Sequence, residues 1–99
     1  MPIDAIILND SDNVATAVQE LRQGQEATAR CNRELRRIRI AEAIPYGHKF
    51  AVRRIGSGQD IVKYGEVIGR ATADIEMGCH AHIQNVEGLR GRGDLERRA

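Results

Sequence analysis

Gly56-Ser57-Gly58, Ile61-Val62-Lys63-Tyr64, Gly65-Glu66 and Val67-Ile68-Gly69-Arg70-Ala71-Thr72-Ala73-Asp74-Ile75 succeed one another in the middle of the chain. Short apolar runs here are separated by glycine turns at intervals of roughly ten residues, the signature of short strands in a compact, much-bent β structure. The reading extends outward in both directions. Ile44-Pro45-Tyr46-Gly47 is another turn, in which Pro45 fixes one φ angle and Gly47 supplies conformational freedom. Phe50, Val52 and Ile55 among charged neighbours make 48–55 strand-like. Arg37-Ile38-Arg39-Ile40 alternates, which places Ile38 and Ile40 on the core side of a strand.

The N-terminal third reads differently. Ile3 to Leu8 is a short apolar run interrupted by Asp4 and fits a strand or a buried extended segment. Asn9-Asp10-Ser11-Asp12 offers acceptors suited to the free amides of a helix start. Val14, Ala17, Val18 and Leu21 then fall three, four and seven apart, which predicts one amphipathic helix over 13–22, with Gly24 just beyond its end. Gln25 to Arg37 favours helix by composition but has no helical stripe, so helix and strand both stay open. The expected fold class is mainly β with one short N-terminal helix, in a single domain over 1–89 followed by a flexible tail over 90–99.

Composition narrows the function classes. A 99-residue chain is one small domain, and with one Phe, two Tyr and no Trp it must pack mainly with Ala, Val and Ile. So small and aromatic-poor a chain is expected to associate with another, and as a homo-oligomer when isolated. A net charge of +1 gives no bulk argument for nucleic acid or a membrane surface. Arg36, Arg37 and Arg39 are interleaved with acids and lack stacking aromatics, so they read as a solvated strand face. Arg90 and Arg92, among glycines, are a weak RNA-binding signal, and Arg92-Gly93-Asp94 carries little weight as an adhesion triplet without an export signal. No apolar run is long enough for a membrane span and the N-terminus lacks the order of a secretory signal, so a cytoplasmic location is expected. Cys31 and Cys79 read as two thiols, not a bridge or a zinc motif.

The chemistry concentrates in Gly78-Cys79-His80-Ala81-His82-Ile83-Gln84-Asn85. If that stretch is extended, His80, His82 and Gln84 share one face while Cys79, Ala81 and Ile83 take the other. The remaining histidine, His48, follows the Gly47 turn. Two imidazoles at i and i+2 suit a metal, or an acid-base group beside a carboxylate binder. No carboxylate lies near in sequence, so a self-contained metal centre is not expected in this chain. Lys49, beside His48, and Lys63-Tyr64 offer cations and a phenol for an anionic substrate, although alternation sets His48 and Lys49 on opposite faces.

Ile44-Pro45-Tyr46-Gly47-His48-Lys49, Ile61 to Gly69 and Gly78 to Asn85, with Asp12-Asn13-Val14-Ala15 and Leu89 to Asp94, resemble the SAF domain of the altronate/galactarate dehydratase family over nearly the whole chain. The likeness is greatest to the separate small subunits of two-subunit altronate dehydratases and sulfolactate sulfo-lyases. It implies a β-clip fold and a small subunit inactive alone, which completes the active site of a large catalytic dehydratase-like subunit. The implied reaction is β-elimination of water or sulfite from a small anionic hydroxy acid. A divalent metal, iron in the dehydratases, is implied to be held mainly by the partner subunit. Carried over by motif, His48, His80 and His82 become the catalytic candidates, with His48 a proton-transfer group, and Lys49, Lys63, Tyr64 and Asn85 become the substrate-binding ones; Gln84 joins the latter by its own chemistry, as an amide suited to position a substrate. The chain departs from the family pattern at Gln84, where a third histidine is common, and at Ala81, where valine is usual. The rival reading is a non-catalytic regulatory or docking module.

Overall fold

The computed structural model describes residues 3–88, so Leu89 and the tail with Arg90, Arg92 and the Arg92-Gly93-Asp94 triplet lie outside the described residues. The chain forms strands β1 (Ala5–Ile7), β2 (Val14–Ala17), β3 (Glu26–Cys31), β4 (Glu34–Arg39), β5 (Lys49–Ala51), β6 (Asp60–Lys63), β7 (Glu66–Ala71), β8 (His80–Ala81) and β9 (Val86–Gly88). They make a six-stranded sheet in the order β4-β3-β1-β2-β5-β8 and a three-stranded sheet in the order β6-β7-β9. Only the β1–β3 pairing is parallel. Among the described residues there is no helix.

The expected helix over 13–22 is therefore corrected to a strand and a bend. Val14, Ala15 and Ala17 are all buried while Val18 is 37% exposed, a pattern that a helical stripe through Val14, Ala17 and Val18 does not produce. Of the acceptors before it, Asp12 serves distant backbone instead of a helix start, Asn9 bonds locally to Ser11, and Asp10 meets the side chains of Cys31 and Arg36. The Asp12 carboxylate accepts hydrogen bonds from the amides of Tyr64 (3.0 Å), Gly65 (2.8 Å) and Leu8 (3.3 Å). Asn13 accepts from the Val62 amide and donates to the Asp60 carbonyl, each at 2.8 Å. Tertiary pairing thus overrides a local helical spacing. The undecided 25–37 segment is the β3–β4 hairpin, whose inward Ala27, Ala29 and Cys31 are buried. Ile38 and Ile40 are core residues as expected, and Arg37 and Arg39 are exposed.

The turns share one design, repeated four times at 17–26, 40–49, 51–60 and 71–80. Each copy holds an aliphatic residue, Leu21, Ile44, Ile55 or Ile75, three positions before a glycine with positive φ: 86° at Gly24, 83° at Gly47, 88° at Gly58 and 86° at Gly78. In each, the amide after the glycine donates to the carbonyl three residues back, as in Gln25 to Arg22, His48 to Pro45, Gln59 to Gly56 and Cys79 to Glu76. A glycine is needed third in such a type II turn because φ there is positive. The copies clasp in pairs, through bridges between Leu21 and Ile44 and between Ile55 and Ile75. Two buried clusters result, one around Phe50, Ile7, Leu21, Ile40 and Ile44, the other around Val14, Ile55, Ile61 and Ile75.

One of these glycines also sets the position of the histidines. A Cβ on Gly78 would overlap the carbonyl oxygen of Arg39 and come within 3.0 Å of the Ala41 amide nitrogen. Gly78→Ala should therefore destabilise the full chain by about 3 kcal/mol, from left-handed strain and overlap combined. Urea unfolding followed by circular dichroism checks this, and an unchanged midpoint would show that the Arg39–Ala41 segment yields freely.

Candidate functional site

The β5–β8 pairing builds the site. Phe50 pairs with His80 and Lys49 with Ala81 in antiparallel register. Carried one residue further, that register sets His48 opposite His82, and cross-strand partners of this kind bring side chains into contact. The rings confirm it: His48 and His82 stack with centroids 4.2 Å apart. His48 and His80 are 5.1 Å apart, and His80 and His82 5.2 Å. His48 Nδ1 lies 2.9 Å from His80 Nε2, close enough to share a proton. One ligand atom from each of the three rings lies within 4.8 Å of the others.

The extended run ends sooner than expected. β8 stops at Ala81, and His82 enters a turn over 83–85. Asn85 makes that turn: its side-chain oxygen accepts from the His82 amide (2.9 Å) and its side-chain nitrogen donates to the His80 carbonyl (2.8 Å). Both ends of the Asn85 amide are thus engaged by backbone, which makes it a positioning residue for the two histidines. Gln84 curls back so that its amide meets His80 Nδ1 at 3.1 Å. Glu42, which sequence reading did not single out, accepts the His80 amide at 2.9 Å. No local motif marks Glu42, because its role depends on the contact between the 39–42 segment and the Gly78 turn.

Electrostatics separate the candidates. Burial, followed by the neighbouring His48 and His82, pushes the His80 pKa down, with Glu42 opposing. Burial also lowers Lys49, and Lys63 nearby adds to this, while Tyr64 opposes. The Lys63 ammonium sits 4.6 Å from the centre of the Tyr64 ring. Tyr64 has φ 59° and Gly65 φ 72°, the two left-handed residues of a tight β6–β7 hairpin turn. Lys49 and His82 line a cavity of about 250 Å³ with Ile61, Ile68, Ile83 and Val86. His48 is not in its lining, so the two members of the His48-Lys49 pair point apart as alternation requires. Burial chiefly pushes up the thiols of Cys31 and Cys79, which disfavours the reactive thiolate at both.

The domain is thus a module that gathers three imidazoles at one end of the β5–β8 pair, His48 just before β5, His80 at the start of β8 and His82 just beyond it. The kind of module follows from its relatives. The altronate/galactarate dehydratase SAF domain matches residues 3–89, and the chain belongs to that family. It is 33% identical over 90 residues to (2R)-sulfolactate sulfo-lyase subunit alpha of Chromohalobacter salexigens, covering 88% of this chain and 96% of that one. It is 38% identical over 74 residues to altronate dehydratase of Escherichia coli, covering 75% of this chain but 14% of that protein. Galactarate dehydratase (L-threo-forming) of E. coli is 41% identical over 73 residues, again with only 13% of its length covered. The chain thus spans a small part of the dehydratases and nearly all of a sulfo-lyase subunit. No helix among the described residues is long and apolar enough to cross a membrane.

Proposed function

We propose that the chain is the small subunit of a two-chain cytoplasmic lyase that eliminates water or sulfite from a small anionic hydroxy acid. The observation that carries the reading is the convergence of His48, His80 and His82, the only histidines of the sequence, at one end of the β5–β8 pair. Support comes from the near-complete overlap with a lyase subunit named alpha, which implies a companion chain. In such an elimination a proton leaves the carbon beside the carboxylate, and hydroxide or sulfite leaves the neighbouring carbon. The larger chain supplies the rest of the site.

The residues divide the work by chemistry. His48, His80 and His82 are the catalytic groups of this chain. Lys49 and Lys63, close enough for one to lower the pKa of the other, form a cationic region that attracts the acid. Tyr64 and Gln84 orient it, and Asn85 fixes the backbone on which His80 and His82 ride. A divalent metal, when bound, stabilises the negative charge that develops on the acid as the proton leaves.

Separate purification and recombination with the larger chain test this. The chain alone should show no turnover on sulfolactate or aldonate substrates, and addition of the larger chain should produce it. Turnover by the purified chain alone would overturn the division of labour. Copurification with RNA that salt releases, and with no larger chain, would favour a binding module instead.

A further inference from the structure

We infer that this chain carries its own site for a divalent first-row transition metal, with His48, His80 and His82 as the ligands. The inference rests on the lyase reading for the purpose of the ion and on geometry for its place. It departs from the expectation, drawn from the missing carboxylate, that this chain has no self-contained metal centre, and from the one implied by the resemblance, that the metal sits mainly on the larger chain.

Three imidazole nitrogens on one metal, each about 2.1 Å from it, stand roughly 3.0–3.4 Å apart. Here one pair is already at 2.9 Å, and all three ligand atoms fall within 4.8 Å of one another. Closing the set takes rotation of the rings about χ2, a broad torsion. That rotation breaks the near-parallel stacking, which is 14–19° between planes.

The backbone under two of the ligands is already fixed, through Glu42 at the His80 amide and Asn85 at the His82 amide. A metal-bound histidine also needs a partner on its other nitrogen to hold its tautomer and ring angle. Gln84 occupies that place against His80 Nδ1 at 3.1 Å. With its amide oxygen turned inward, an arrangement equivalent in shape, Gln84 accepts a hydrogen bond from Nδ1–H and leaves Nε2 free as ligand. The departure from the family pattern at this position thus becomes a positioning residue.

Ligand type selects the ion. Among the described residues no carboxylate joins the cluster, so it favours zinc, iron, cobalt, nickel or copper over magnesium or calcium. Three protein ligands leave coordination positions open for oxygens of a hydroxy acid.

The test uses the full chain, stripped with a chelator and titrated with Co²⁺. It should bind one equivalent, develop visible ligand-field absorption, and keep the ion through desalting. His48→Ala, His80→Ala and His82→Ala should each weaken binding more than about tenfold, and Gln84→Ala by about tenfold. Cys79→Ser should bind as the parent does. Because the sequence has three histidines and all are in this cluster, histidine-dependent binding has one location. Circular dichroism identifies any variant that fails to fold, and exposed Gln84 supplies a variant that does not threaten the core. No Co²⁺ binding up to millimolar ion, or binding that survives loss of all three histidines, overturns the inference. Metal binding without turnover on addition of the larger chain supports the site and sinks the lyase reading; turnover with a chain that binds no metal does the reverse.

Discussion

His82→Ala in the recombined two-chain enzyme should lower kcat by about 100-fold or more, while the chain itself stays folded. His82 connects the imidazole cluster to the cavity beside it. Its ring stacks on His48 at 4.2 Å, its side chain lines the cavity with Lys49, and its amide is held by Asn85. It lies outside both buried clusters, so its removal should shift unfolding stability by less than about 1 kcal/mol. A steady-state assay at saturating acid and metal, beside a urea melt of the variant chain, separates the two effects. Unchanged kcat would mean that the cluster is structural and that the larger chain performs the elimination unaided. A fall in kcat matched by a fall in melting midpoint would point to a packing role instead.

Much of this arrangement was readable from residue order. Glycine turns between short β-branched runs predict the bent β architecture, because positive φ and period-two burial leave direct marks in sequence. The face shared by His80 and His82 follows from alternation, and the separation of His48 from Lys49 follows from the same rule. What alternation does not contain is register. Nothing local says that Lys49 pairs with Ala81, and only that pairing carries His48 to His82.

The false helix has a related cause. Spacing of three, four and seven through Val14, Ala17, Val18 and Leu21 is also compatible with a short strand followed by a bend and a bridging residue. Burial of Ala15 and the bridge from Leu21 to Ile44 distinguish the two, and both depend on distant chain. The fourfold turn repeat was in plain view as an aliphatic residue three before a glycine. Its copies begin at 17, 40, 51 and 71, so no fixed period reveals it, and it emerges only when the hydrogen bonds align them.

Asp12→Ala should destabilise the chain by about 4 kcal/mol, a large part of the 5–15 kcal/mol that usually holds a domain folded. Asp12 is fully buried, and its carboxylate accepts three backbone amides from two places in the chain: Leu8 after β1, and the Tyr64-Gly65 turn. Removing it strands those donors away from water, at about 1–3 kcal/mol each before the structure relaxes. The turn is the vulnerable partner, because a tyrosine with φ 59° is held in a conformation that side chains other than glycine disfavour by about 1–2 kcal/mol. Its two amides point at Asp12, so the carboxylate is what offsets that strain. Asp12→Asn is the sharper variant, since it keeps the volume but replaces one acceptor with a donor. It should lose nearly as much stability, whereas a packing role alone would leave it close to the parent in a urea melt. Lys63 and Tyr64 ride on the same hairpin, so a variant that survives should also bind the acid more weakly, with a raised KM and an unchanged metal affinity. A normal KM in folded Asp12→Asn would separate the hairpin from the substrate.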